Sequence, residues 1–286
     1  MCDQDHFDQD EKEYIARGLV TRKQFGVLLG AGGMSMMLPA VANAVTVKES
    51  EVTIKTPDGE ADGYFVHPAT GSAPGVLLWP DIFGLRPAMR QMGKRLAESG
   101  YSVLVVNPFY RSKKGQVAEN ASAASIDDVR KFAQGLNETT HMTDAKAFVG
   151  WLDQQAPVAK HRKIGTQGYC MGGPIAFRTA AAVPGRVGGV ASFHGGGLVR
   201  GTEPNSPHIQ AAATKANFLV LVAQNDDQRA PQDKEVLKET FAKAKLNAEV
   251  EVYEAAHGWC PPDSRVYNEA LAEKAWTRLL ALYAKL

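Results

Sequence analysis

Cys170 stands at the centre of Gly168-Tyr169-Cys170-Met171-Gly172, between the β-rich run Lys163–Tyr169 and the helix-forming run Gly172–Ala182. A thiol is a nucleophile as its thiolate, so it needs a position where it projects outward and where deprotonation is favoured. A tight strand-to-helix turn flanked by small residues supplies the projection. The N-terminus of the following helix aims backbone N–H groups and a positive dipole end at the sulfur. Two further reactive groups follow strand-like runs. Asp226 and Asp227 come after the strand from Phe218, and His257 after the strand from Glu249. Nucleophile, acid and base thus occur in the order Cys, Asp, His, which is the chain order of one type of hydrolytic triad. In that chemistry the histidine takes the thiol proton, and an aspartate supports the imidazolium through its other nitrogen. Counting forward from Lys215 favours Asp226 as the acid and counting back from Pro231 favours Asp227; Asp226 is preferred.

Asp81 follows the apolar run Gly75–Pro80, and His194 follows Val187–Phe193. His194-Gly195-Gly196-Gly197 looks like a lipase oxyanion loop, but it lies after the nucleophile in the chain instead of before it. His194 therefore reads as a pocket-lining or structural residue. His67, His141, His161 and His208 have no partner at useful spacing. Cys170, Cys260 and His257 do not make a zinc pattern, so neither a metal nor another cofactor is expected.

Positioning such groups requires strands that end at one edge. The segment 52–68 reads as a hairpin around Pro57-Asp58-Gly59. After it, strand and helix signals alternate. Strands are predicted at Gly75–Pro80, Tyr101–Pro108, Lys163–Cys170, Val187–Gly195, Asn217–Asp226 and Ala248–Gly258. Helices are predicted from Arg86 to Gly100, over Thr143–Gln154, in the segments beginning at Gly172 and Gln232, and from about Asp263 to the C-terminus. This alternation predicts an α/β fold, a mostly parallel central sheet with helices on both faces. Residues 112–125 read as a surface excursion, and 45–286 as one domain.

The chain has 286 residues, 44% hydrophobic and 22% charged, with a formal charge of +1. That composition gives no pull toward nucleic acid. Residues 1–44 differ from the rest. Arg22-Lys23, an uncharged stretch from Gln24 and a small-x-small ending at Ala42-Asn43-Ala44 match an export signal of the twin-arginine type, with lysine in the second place. The alternative is an N-terminal helix of the mature fold. The apolar part is too short to span a bilayer. An exported protein, periplasmic or beyond, is expected, monomeric and without stable membrane insertion once the leader is removed.

Four motifs resemble those of the dienelactone hydrolases, cysteine-using members of the α/β-hydrolase superfamily that include the carboxymethylenebutenolidases. They are Gly168–Gly173 (GYCMGG), Pro80–Leu85 (PDIFGL), Tyr253–Gly258 (YEAAHG) and Asn107–Arg111 (NPFYR). The resemblance runs from about Glu51 to the C-terminus. It implies Cys170 as nucleophile, Asp226 as acid and His257 as base, with the backbone N–H groups of Ile82 and Met171 as the oxyanion hole. It places Asp81 where the family has a glutamate that pairs with the resting thiol, and Tyr110, Arg111, His194 and Trp259 around the substrate. Where members acting on the dienelactone carry a carboxylate-binding arginine, this chain has Pro261; Arg111, Arg86 and Arg229 are candidates to compensate. The expected function is hydrolysis of a lactone or small ester through a cysteine acyl-enzyme. Two other readings are a catalytically silent binding module and a thiol-redox protein that pairs Cys170 with Cys260.

Overall fold

Four runs with scarcely a charge among them, Gly75–Trp79 (β3), Ser102–Val106 (β4), Ile164–Tyr169 (β5) and Val187–Phe193 (β6), are buried along almost their whole length. Strands covered on both faces need apolar residues at successive positions rather than at alternate ones. The computed structural model, which describes residues 4–17 and 38–286, assembles them into an eight-stranded sheet. The remaining strands are β1 (Val47–Thr56), β2 (Gly59–Pro68), β7 (Asn217–Ala223) and β8 (Ala248–Tyr253). Their order is β1-β2-β4-β3-β5-β6-β7-β8. The β1–β2 hairpin is antiparallel to β4, and every pairing from β4 to β8 is parallel. β1 is an edge strand that carries Lys48, Glu49, Glu51 and Lys55 largely in solvent, the kind of composition that discourages edge-to-edge pairing.

Helices cover both faces: α1 (Gln4–Ala16), α2 (Pro87–Glu98), α3 (Ile126–Arg130), α4 (Glu138–Leu152), α5 (Gly172–Ala182), α6 (Pro207–Ala212), α7 (Gln224–Arg229), α8 (Asp233–Lys243) and α9 (Glu269–Tyr283). One core lies beneath α4 and α5, with Trp79, Phe148, Phe177 and Phe218 at its centre. The other lies beneath α2 and α9, around Met89, Leu96, Phe193, Trp259 and Tyr283. Each Leu, Val or Phe fully buried there stabilises the fold by about 1.5–3 kcal/mol relative to an exposed one.

Two helices begin elsewhere than the periodicity predicts. α4 starts five residues before Thr143, because Asn137 and Thr140 form a reciprocal cap that satisfies two N-terminal donors. α9 starts at Glu269, capped by Asn268, and not near Asp263, whose carboxylate is drawn into an ion pair with Arg86. Residues 112–125 lack regular structure apart from turns and bends, yet Ala118 and Ala121 pack with Phe83, Ile126 and Val129.

α1 docks on the loops that follow β7 and β8. Tyr14 is buried against Ala256 and Val266 and donates its hydroxyl to Gln224 at 3.2 Å. Arg17 reaches Gln224 at 2.9 Å and Glu254 at 3.2 Å. The basic pair and most of the apolar run of the expected leader lie outside the described residues. Ala42, Asn43 and Ala44 are exposed. Among the described residues, no helix is long and apolar enough to cross a membrane.

Candidate active site

The sheet's connection order reverses at β3: the chain passes to β4 on one side, then returns to β5 on the other. Loops leaving β3 and β5 therefore diverge and open a crevice at the carboxyl ends of these strands. Asp81 and Ile82 lie beyond the end of β3, and Cys170 beyond the end of β5.

The turn at Cys170 is tight because of its glycines. A Cβ on Gly168 would sit 2.0 Å from the Gly172 carbonyl oxygen, and one on Gly172 would sit 2.4 Å from the Trp79 carbonyl oxygen. The second contact seats the turn against the end of β3, so that Ile82 and Met171 approach the same crevice. Cys170 itself adopts φ 51°, a left-handed conformation unfavourable for a residue with a side chain. It is held there by Cys170 N donating to Phe193 O and Gly173 N donating to Cys170 O, both at 3.0 Å. The side chain is partly exposed at the N-terminus of α5. Neither the Ile82 nor the Met171 backbone N–H donates to an acceptor among the described residues, which leaves both donors for an incoming oxyanion.

His257 is placed by the loop after β7. Its Nδ1 lies 2.7 Å from Asp226 Oδ2, and its backbone N–H donates to Asn225 Oδ1 at 2.9 Å. An aspartate accepting from Nδ1–H fixes the tautomer and makes Nε2 the basic nitrogen. Asp227 turns away, its carboxylate bound by Lys234 Nζ at 2.7 Å. Of the two neighbouring carboxylates, Asp226 is the one on the histidine. Asn225 is buried and belongs to the same clamp; the sequence signals it only by adjacency to Asp226.

His194 closes the back of this group. It is fully buried at φ 42°, with its ring 4.9 Å from that of His257 and 5.0 Å from that of Trp259. Burial, and secondarily the charge on His257, push its pKa well below the ordinary histidine value and hold it neutral. Trp259 is buried on the same loop.

The other half of the sheet edge is organised differently. Asp81 is held by Arg86 through two hydrogen bonds, at 2.7 and 3.0 Å, and its Oδ1 also accepts from the Phe83 N–H at 2.9 Å. Arg86, wholly buried, also donates to Asp263 at 2.6 and 2.9 Å. Burial pushes the Asp81 carboxyl up, opposed by Arg86. Burial likewise disfavours charge on Arg86, yet the two carboxylates outweigh it and raise its pKa. Asp81 thus presents its oxygens to an arginine, a partner the sequence reading did not foresee.

Arg111 holds Asp144 and Asp58, and Tyr110 donates its hydroxyl to Asp144 at 2.7 Å. Two of the three guanidiniums expected as substitutes for the missing carboxylate-binding arginine, Arg86 and Arg111, are therefore engaged by carboxylates of the protein. Arg229, on α7, lies 3.9 Å from Asp226.

Neither Cys170 nor Cys260 is in a disulfide. Cys260 lies in the apolar cluster with Tyr169 and Trp259, and burial pushes its thiol pKa well up, which disfavours the reactive thiolate. Among the described residues, no group of three or more His, Cys, Asp or Glu side chains could hold a metal ion.

Comparison with known proteins places this arrangement. The model of the dienelactone hydrolase family matches residues 61–286. The carboxymethylenebutenolidase of Pseudomonas putida is 27% identical over 242 residues, covering 82% of this chain and 96% of that one. The carboxymethylenebutenolidase of Rhodococcus opacus is 26% identical over 223 residues, covering 76% and 82%. Among solved structures, a dienelactone hydrolase-like promiscuous phosphotriesterase from metagenomic libraries superposes with TM-score 0.70 at 21% identity, covering 84% of this chain and 98% of that one.

Proposed function

The chain belongs to the dienelactone hydrolase family and is a hydrolase of the α/β-hydrolase fold, and on that premise we propose that it opens lactones or cleaves small esters through a Cys170 acyl-enzyme. The observation that carries this reading is the Asp226–His257 pair at 2.7 Å on the sheet edge where the strained Cys170 turn ends β5.

His257 Nε2 takes the thiol proton, and the Cys170 sulfur attacks the substrate's carbonyl carbon. The oxyanion so formed accepts from the Ile82 and Met171 N–H groups. On collapse the ester C–O bond breaks and the departing alkoxide takes the proton back from His257. Water then loses a proton to His257 and attacks the thioester. The C–S bond breaks, leaving a carboxylic acid product and the regenerated thiol. Asp226 accepts from His257 Nδ1–H and stabilises the imidazolium's charge through both halves.

The substrate is a small, activated acyl compound. A butenolide with a carboxymethylene group, the substrate named for the two relatives, would lack its bidentate arginine at Pro261, and Arg86 and Arg111 are occupied. Uncharged lactones are accordingly preferred. Residues 1–44 are proposed as an export leader, a reading supported by the exposure of Ala42–Ala44. N-terminal sequencing of the exported protein would start at Val45; a start at Met1 would oppose the leader.

Purified Val45–Leu286 is the material for the test, with p-nitrophenyl acetate, an uncharged lactone and a carboxylate-bearing lactone as substrates. Turnover that disappears with Cys170→Ala supports the proposal, and a kcat/KM order with the uncharged lactone first supports the substrate preference. Equal rates for wild type and Cys170→Ala would remove the cysteine from the mechanism.

A further inference from the structure

The geometry points to an anion-binding site away from the triad, in the cleft between the N-terminus of α4, the face of α5 and the loop 195–206, that takes a small molecule bearing a carboxylate or phosphate group. The cleft measures about 380 Å³ and is lined by Asn137, Glu138, His141, Arg178, Arg200 and Asn205, among others. None of the residues placed in the mechanism lines it.

Two of its donors are buried without partners. Arg178 is 2% exposed and His141 7%, and among the described residues neither Arg178 Nε nor His141 Nε2 has a hydrogen-bond partner. Native interiors rarely leave such groups unsatisfied, since each costs about 1–3 kcal/mol when unpaired. The tautomer follows from geometry. Arg178 Nη1 donates to His141 Nδ1 at 3.0 Å, so His141 carries its proton on Nε2 and offers it as a donor. The other Arg178 nitrogen, Nη2, holds the Asn205 carbonyl at 3.3 Å.

The buried charge is also weakly compensated. Arg178 makes no ion pair with any described carboxylate, although a buried arginine ordinarily has one. Arg86, equally buried, has two. Glu138, the carboxylate lining the cleft, accepts instead from Gln210 Nε2. Burial, then the neighbouring charge of Arg200, push the Arg178 guanidinium pKa down, opposed to a smaller degree by Glu138. His141 is held neutral, its pKa lowered to about 3 chiefly by burial, so it donates without adding repulsion between cations. The 15-residue helix α4 points its positive end at the same space. Two forked cations, a neutral N–H donor and a helix terminus converge as carboxylate and phosphate recognition requires.

The cleft is connected to the catalytic end through the chain. α5 runs from the Cys170 turn to Arg178, and the loop after His194 carries Arg200. A bound anion would tie that loop to α4 and α5.

The test is isothermal titration calorimetry on the full chain with inorganic phosphate and, separately, with succinate, at ionic strength fixed with sodium chloride. A saturable one-to-one isotherm is expected for at least one of them, and which one binds identifies the anionic group. Arg200→Ala, an exposed change that leaves the core intact, is expected to weaken binding at least about tenfold, equivalent to ~1.4 kcal/mol. Arg178→Met removes binding, and Cys170→Ala leaves the affinity unchanged. No saturable heat with either anion overturns the site, as does equal binding by wild type, Arg200→Ala and Arg178→Met. Loss of binding in Cys170→Ala would place the anion at the triad and overturn it as well. Because the readout is binding, failure here is distinct from failure of the proposed hydrolysis.

Discussion

The two halves of the sheet's carboxyl edge use the same kinds of side chain to opposite ends. Beyond β3 and β4, Arg86 and Arg111 each bind two carboxylates, Arg86 those of Asp81 and Asp263 and Arg111 those of Asp58 and Asp144. Beyond β5, β7 and β8, Asp226 orients the His257 ring, Asn225 holds its backbone, and backbone bonds hold Cys170. Saturated charges make a wall, because ion pairs in a low-dielectric interior leave no valence to offer a substrate. A reactive centre needs one side of each group unsaturated, and here its positions are fixed by backbone strain and close packing.

The largest effect that could break this contrast lies in the half that carries Cys170 and His257. Asp226→Asn would present an amide N–H, or the wrong tautomer, to His257. A fall in kcat of about 10³–10⁴-fold is expected, with the urea midpoint little changed. The mirror experiment in the saturated half is Arg86→Met, which leaves the buried Asp81 and the half-buried Asp263 without a cation. Equilibrium unfolding should show a loss of about 3–5 kcal/mol. A loss below ~1 kcal/mol would mean that the wall is not held by its charges.

Gly172→Ala tests whether packing holds the nucleophile's turn. A methyl group 2.4 Å from the Trp79 carbonyl oxygen must displace backbone. A loss of about 1–3 kcal/mol, together with a lower kcat, is expected. Wild-type behaviour in both would show that the turn is looser than its contacts imply.

The pH dependence of stability separates the halves by a slope. His194 and His141 are kept neutral by burial, His194 well below the reference value of 6.5 and His141 at about 3. The unfolded chain binds protons first as pH falls through about 6.5, so stability is present above that pH and is lost toward the depressed folded values. Each histidine contributes up to about 1.4 kcal/mol per pH unit within the window. Urea midpoints measured between about pH 7.5 and about pH 5 should fall, and His194→Asn, a residue tolerated at positive φ, should reduce the slope. The smallest effect is expected for Asp227→Asn. Removing a partly exposed pair with Lys234 should shift stability by about 0–1 kcal/mol and leave kcat unchanged.

The half that carries Cys170, Asp226 and His257 was legible as a candidate site because its features are local. Small residues on either side of Cys170, and reactive groups at the ends of apolar runs, can be read from neighbouring positions. The choice between Asp226 and Asp227 was open because one residue of helical rotation separates facing His257 from facing Lys234. The wall was not legible. Arg86 meets Asp263 across 177 residues, and that pairing displaced the expected start of the last helix. The anion cleft was hidden for the same reason: His141, Arg178 and Arg200 share no spacing and converge only through the packing of α4 on α5. His141 has no partner at useful spacing within the sequence.

The most direct test of the account is intact-mass analysis of the quenched reaction with p-nitrophenyl acetate, followed by peptide mapping. The account predicts a transient gain of one acetyl group on the peptide containing Cys170, absent in Cys170→Ala and longer-lived when Asp226 is asparagine. Turnover with no adduct at Cys170, or an adduct at another residue, would contradict it.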